Sequence, residues 1–300
     1  MKRYRTDGAV DYRLANMEHY TIMPKEDVNM RVPDHIKKCV AFIGVKIYEP
    51  NGNFSYDFSG TGFFASVPSD LPGACSVYFV TAKHNVVEMQ QDCKEWAIRL
   101  NTKDGNSKTF DGIDAKWHYH EDKSVDLAVI NWLPPNPEKF DHLHIPTSSF
   151  LNSNSFTEQG IGIGDEVCMV GLFRLYSGDF KNEPVLRIGN IAMLPSRRIE
   201  IKDIGPMEAY LIEARSMGGL SGSPVFLAEQ GIDPVTKMIA FRWHFLGIIH
   251  GHYKLKSGEQ IERIALNSAT NVGVSIVTPA QKLLDILNNE ELSAAREKGI

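Results

Sequence analysis

Ser221 stands in Gly218-Gly219-Leu220-Ser221-Gly222-Ser223-Pro224-Val225-Phe226, a small-residue turn entering an apolar segment. A serine hydroxyl is a weak nucleophile at neutral pH and reacts only when a base takes its proton and a third group orients that base. Both groups lie upstream. Thr81-Ala82-Lys83-His84 follows the apolar run Val77-Tyr78-Phe79-Val80 and supplies the base. Asp126 opens the run Leu127-Ala128-Val129-Ile130 and supplies the acid. In this arrangement His84 would accept the Ser221 proton and return it to a leaving group, while a buried Asp126 would hold the ring's tautomer and stabilise the imidazolium. The backbone N–H groups of Gly219 and Ser221 would face the developing oxyanion, a geometry that glycine permits. Each residue taken alone has a plainer reading: a satisfied polar histidine, a turn aspartate, a Gly-Ser loop. The chemistry rests on all three occurring together, in order, with these flanks.

Such side chains converge only if the chain folds them together, and the pattern around them is one of strands. Short apolar runs such as Cys39 to Tyr48, Val77 to Thr81, Val167 to Gly171, Pro224 to Ala228 and Phe241 to His250 are rich in Val, Ile and Phe and are bounded by Gly, Pro, Asn or Asp. They indicate a mostly β protein of antiparallel sheets, in sandwich or barrel form. The Pro- and Ser-rich stretch 134–160 reads as a linker, which puts His84 and Asp126 in one half, Ser221 in the other, and the site in a cleft between them. The expected organisation is an N-terminal extension over 1–35, a first barrel over 36–133, the linker, a second barrel over 161–278, and a C-terminal helix and tail over 279–300. Thr278, Pro279 and Gln281 read as a capping box opening that helix, with Ala280, Leu283, Leu284 and Leu287 on its packed face. A second short helix is expected to begin at Asn85.

Composition narrows the class further. The 300 residues are 43% hydrophobic and carry a net charge of −5 without a long basic run, so a sizeable core is available and no footprint for nucleic acid is seen. Charged residues interrupt the first 29 positions, so no signal-peptide core can be drawn there, and no apolar stretch is long enough to span a bilayer; a cytoplasmic protein without membrane contact is expected. Cys39, Cys75, Cys93 and Cys168 form no CxxC pair and read as free, largely buried thiols. No metal or organic cofactor is expected. His118, His120, His142 and His144 are spaced by two within each pair and read as surface residues.

The order His84, Asp126, Ser221 and the strings around these residues resemble the chymotrypsin-fold serine proteases, in particular the bacterial trypsin-like branch with the high-temperature-requirement proteases and glutamyl endopeptidases. Ser59-Gly60-Thr61-Gly62-Phe63-Phe64 stands where that family has Gly-x-Gly-Phe, Thr81 to His84 matches Thr-Ala-x-His, Asp126-Leu127-Ala128 matches Asp-[Ile/Leu]-Ala, Gly164-Asp165-Glu166-Val167 matches Gly-Asp-x-Val, and Gly219 to Pro224 matches Gly-x-Ser-Gly-[Gly/Ser]-Pro. The likeness extends roughly from Cys39 to Leu287. It implies two antiparallel six-stranded β-barrels with a C-terminal α-helix, and peptide-bond hydrolysis by a Ser-His-Asp triad with Gly219 and Ser221 as oxyanion donors. An α/β-hydrolase would instead need Gly-x-Ser-x-Gly and a histidine last in the chain, and neither is present.

The resemblance also carries departures. Leu220 occupies the place where zymogen-forming members have an aspartate, so activity is expected not to depend on a newly cut amino terminus. Family correspondence assigns the primary specificity pocket to Arg215, Ser216, His250, Gly251, His252, Gly273 and Ser275, positions without a carboxylate, which disfavours a preference for Lys or Arg. Two readings of the pocket stay open: an acidic preference through Arg215 with His250 or His252, or a small apolar pocket with Arg215 facing solvent. The expected partner is a peptide or protein substrate, with a regulatory protein as a further candidate. The alternative function is a pseudoprotease, silent or switched on by a partner, whose barrels bind peptides or proteins.

Overall fold

The apolar runs form antiparallel ladders in two groups. The computed structural model describes residues 21–22, 32–69, 74–91, 95–201, 205–214, 218–232, 239–255 and 270–298. It begins with β1 (Thr21–Ile22) and the short helix α1 (Asp34–Lys37). The first sheet then comprises β2 (Val40–Tyr48), β3 (Phe54–Pro68), β4 (Cys75–Thr81), β5 (Trp96–Asn101), β6 (Ser107–Asp111), β7 (His118–Tyr119) and β8 (Ala128–Ile130), in the order β6-β5-β2-β3-β4-β8-β7. Helix α2 (Lys83–Gln91) follows β4 directly, so it starts before His84 and not at Asn85 as the sequence reading has it. Inward side chains including Ala41, Ile43, Phe64, Phe79, Ile98 and Ile130 make this sheet's own core. Among the described residues its edges β6 and β7 are not paired. Instead the rings of Phe110 in β6 and Trp132 beyond β8 meet with centroids 5.5 Å apart.

The second group closes on itself. Strands β10 (Glu166–Gly171), β11 (Val185–Met193), β14 (Tyr210–Glu213), β15 (Pro224–Ile232), β16 (Ile239–Leu255) and β17 (Thr270–Pro279) run β16-β15-β10-β11-β14-β17, and β17 pairs back onto β16. A small hairpin of β12 (Ile199–Ile201) and β13 (Gly205–Met207) lies between β11 and β14 in the chain, and β1 adds to the edge of β16. A sheet of seven strands left open between β6 and β7, followed by a closed six-stranded barrel, is consistent with the chymotrypsin-like double-barrel architecture; the first half, expected as a six-stranded barrel, does not close by strand pairing among the described residues.

One apolar cluster joins the halves, with Phe63, Val80 and Leu127 of the first meeting Cys168, Val170, Phe226 and Phe245 of the second; the Phe63 and Phe245 rings are 5.4 Å apart. The stretch 134–160 is fastened to both. Its β9 (Ile145–Pro146) runs parallel to β3, Phe150 bridges to Phe245, and α3 (Ser153–Glu158) opens on a reciprocal cap between Asn152 and Ser155.

The C-terminal end departs from expectation in detail. Helix α4 (Ala280–Leu287) does pack Ala280, Leu283 and Leu287 into the shared cluster, but Pro279 is its N-cap residue, with no side-chain cap, and the buried Thr278 hydroxyl has no hydrogen-bond partner. A proline that fixes its own φ and lacks an N–H starts the helix without help from Thr278. What reads as a tail holds a further helix, α5 (Glu290–Glu297), capped by Asn289, which accepts from the Leu292 N–H at 2.8 Å. Cys39 and Cys168 are buried and Cys75 is half-buried, none of the three in a disulfide; Cys93 lies outside the described residues. Burial pushes the Cys39 thiol up to about 12. Among the described residues no helix is long and apolar enough to cross a membrane.

Candidate active site

The segment before β8 places Asp126 between the buried Val125 and Leu127, so its side chain is 9% exposed although it carries a charge. A buried carboxylate is tolerated only when its oxygens are satisfied, and the first turn of α2 satisfies them. The His84 backbone N–H donates to Asp126 Oδ1 at 2.8 Å, and His84 Nδ1 lies 2.6 Å from Oδ2. With the carboxylate accepting, Nδ1 carries the proton and Nε2 is left as the basic nitrogen, on a ring 36% exposed. Burial alone would raise the Asp126 pKa, but the His84 side-chain hydrogen bond, the nearby His84 and His250, and the His84 amide together hold it below the usual carboxylate value.

Ser221 comes from the turn entering β15, and its backbone is tied to the first half. The Ser221 carbonyl accepts from the Thr61 N–H at 3.0 Å and from Asn85 Nδ2 at 3.1 Å, and Asn85 is the neighbour of His84 in α2. Thr61, fully buried, is the hub of this contact: its hydroxyl donates to the Gly219 carbonyl at 2.7 Å and accepts from the Leu172 N–H at 2.8 Å, while its carbonyl accepts from Thr81 Oγ1 at 2.7 Å. Gly222 has φ +85°, and a Cβ there would be driven into the Thr61 carbonyl, so the turn needs glycine twice over. On the other side the Arg174 N–H donates to the Gly218 carbonyl at 3.3 Å, which turns that carbonyl toward the 172–184 loop. Neither the Gly219 nor the Ser221 N–H is engaged by an acceptor among the described residues. Leu220, where a zymogen-type aspartate would stand, is fully buried in the second core.

The residues assigned to a specificity pocket that the structure describes lie on the paired strands β16 and β17, with His252 opposite Ser275. Arg215 and Ser216 lie outside the described residues, as does the side chain of His252. Gly251 and Gly273 sit on β16 and β17, Gly273 with φ +85°. Ser275 is fully buried, and its hydroxyl donates to the Ala214 carbonyl at 2.9 Å, tying β14 to β17. His250 is directed at Asp126, with Nδ1 3.4 Å from Oδ2 and its ring 6.0 Å from that of His84. Ser275 and His250, assigned to the pocket by family correspondence, thus each face an internal partner.

Thr61 and Asn85 escaped the sequence reading as site residues, although Thr61 lies in a string already singled out. The paired histidines are corrected too. His118 and His120 face Glu291 and Asp285 at 3.7 and 3.3 Å with little exposure, His144 Nδ1 meets Ser66 Oγ at 2.9 Å, and both His142 nitrogens are buried without a hydrogen-bond partner. Among the described residues no cluster of His, Cys, Asp and Glu could hold a metal ion.

Comparison with known proteins gives matches of structure only. No protein-family model and no curated protein sequence matches the chain. Among solved structures it is similar to Deg5, with 18% identity, a TM-score of 0.45, and 84% of this chain and 88% of that one covered. It is also similar to the MamO protease domain from Magnetospirillum magneticum, with 13% identity, a TM-score of 0.44, and 85% and 99% covered.

Proposed function

We propose that this chain is a serine endopeptidase whose triad is Ser221, His84 and Asp126. The observation that supports it best is the doubly bonded His84–Asp126 pair, which fixes the Nδ1–H tautomer and leaves Nε2 basic. His84 Nε2 takes the proton of Ser221 as its oxygen attacks the substrate carbonyl, and Asp126 stabilises the resulting imidazolium. The Gly219 and Ser221 N–H groups, which meet no acceptor among the described residues, take the oxyanion, a contribution for which each donor is typically worth about 100- to 1,000-fold in rate. The imidazolium then protonates the departing amine, and water admitted by the same base hydrolyses the acyl-enzyme.

A fluorophosphonate probe tests nucleophile activation without knowledge of the substrate. The full chain is expected to be labelled, and Ser221→Ala and His84→Ala to abolish labelling while keeping the wild-type melting temperature within a few degrees. A folded wild type that resists the probe would overturn the reading in favour of a protein-binding role. A peptide library then sorts the residue before the cut; with His250 and Ser275 turned to internal partners, enrichment of Glu or Asp would assign that preference to Arg215 or His252.

A further inference from the structure

On a regular strand His250 and Ile249 face opposite sides. Here Ile249 opposes Val277 and Gly251 opposes Ile276, so two steps along β16 match one along β17 and His250 is the extra residue of a β-bulge. A bulge re-aims a side chain, and this one points an imidazole at the carboxylate that His84 already holds. The His250 side chain is 16% exposed, its Nδ1 lies 3.4 Å from Asp126 Oδ2, and among the described residues Nδ1 makes no hydrogen bond. A lone pair facing a carboxylate oxygen would be repelled, so Nδ1 carries the proton. The separation is longer than a normal hydrogen bond and leaves room to tighten.

We propose that His250 is a positioning residue: its Nδ1–H is the second side-chain donor that holds Asp126 for His84, and the site works only while His250 is neutral. This rests on the triad assignment above.

The reason lies in counting charge. Asp126 Oδ1 takes the His84 N–H, whereas Oδ2 is shared by His84 Nδ1 and His250 Nδ1. One carboxylate faces two imidazoles and offsets one imidazolium. When His84 accepts the Ser221 proton, a neutral His250 leaves that charge to His84, and a cationic His250, 6.0 Å away, opposes it. The groups acting on His250 are Asp126, from the segment before β8, and His84, from α2. Burial lowers its pKa most, His84 adds to the lowering and Asp126 opposes it, which keeps the ring neutral near pH 7.

The test compares wild type with His250→Asn, whose amide reaches about where Nδ1 lies but does not titrate, and with His250→Leu, which removes the donor. Near pH 7 the Asn variant should be labelled by the fluorophosphonate within about threefold of the wild-type rate, and the folded Leu variant about tenfold or more slowly, the effect of losing one hydrogen bond to a charged group. In parallel, NMR titration of the imidazole protons should show the His84 signals moving in two steps in wild type, the second as His250 gains its proton, and in one step in His250→Asn. A Leu variant that labels as fast as wild type, or a His84 titration unchanged by His250→Asn, would overturn the proposal. If wild type is not labelled at all, the endopeptidase reading falls, and the titration still decides the coupling. If His250→Leu fails to fold, the Asn variant and the titration decide alone.

Discussion

Asp126 is fixed by two donors of one residue, the amide and the ring of His84, and this makes its chemistry hard to replace. Asp126→Asn would set an amide N–H against Nδ1 or turn the imidazole to the other tautomer. The expected fall in labelling rate is about 10,000-fold, with near wild-type folding, and stopped-time labelling measures it. The depressed Asp126 pKa also has a stability consequence. Its contribution is present above 3.8, the ordinary value for the group, and is lost as pH falls through the lower folded value. The pairing of His84 with Asp126 was legible in the sequence because each sits in a local string whose neighbours do part of the positioning, as Val125 and Leu127 do in burying Asp126. The approach of His250 to Asp126 was not legible, because a bulge in β16 depends on its register with β17. Thr61 was missed for the same reason: its hydroxyl is bonded to Gly219 and Leu172, residues that only the finished fold brings near.

At the scale of elements, the turn that carries Ser221 is held from both halves. Gly222→Ala pushes a Cβ into the Thr61 carbonyl at a positive φ, so we expect loss of labelling and a melting temperature lower by several degrees, measurable by calorimetry. The 172–184 loop supports the turn from outside, through the Arg174 bond to Gly218. That loop is in turn clamped by Arg99 of β5, which donates to Asn182 Oδ1 and to the Ser177 carbonyl, both at 2.5 Å, and rests 4.7 Å from the Phe58 ring. Arg99→Met keeps much of the apolar stem but removes the donors. Its expected effect is faster amide exchange across 173–184 and labelling slowed about tenfold. Unchanged exchange there would show that the clamp does not govern the loop. The strand runs and their division into halves were readable from alternation and punctuation. The open edge of the first sheet was not, since closure depends on how β6 and β7 meet.

Across the whole molecule, buried histidines set the response to acid. Burial pushes His142 down to about 4, with His144 nearby adding to the effect, and burial also lowers His118, His144 and His250. An unfolded chain binds these protons near 6.5, so stability is fully present above that value and declines as pH drops toward about 4. By this linkage His142 alone accounts for about 3 kcal/mol at low pH. The melting temperature should fall between pH 7 and pH 4.5, and fall less in His142→Leu. The even spacing of His142 and His144 gave no hint of this, because their burial comes from the 134–160 stretch packing back onto the first half, as His142 does edge-on against Phe64.

That same stretch has a further consequence. Pro135, Asn136, Glu138 and Lys139 are exposed, yet on either side of them the chain is bonded to the first half: β8 to β4 before them, and Asp141 to Asn101, Leu143 to Lys38 and β9 to β3 after them. The peptide link through the exposed residues is therefore not what keeps the halves together. Opened there, the molecule would persist as two polypeptides, one bearing His84 and Asp126 and the other Ser221. Coexpressed as separate pieces, they should copurify and become reactive only in each other's presence, a complementation that the shared apolar cluster makes self-assembling.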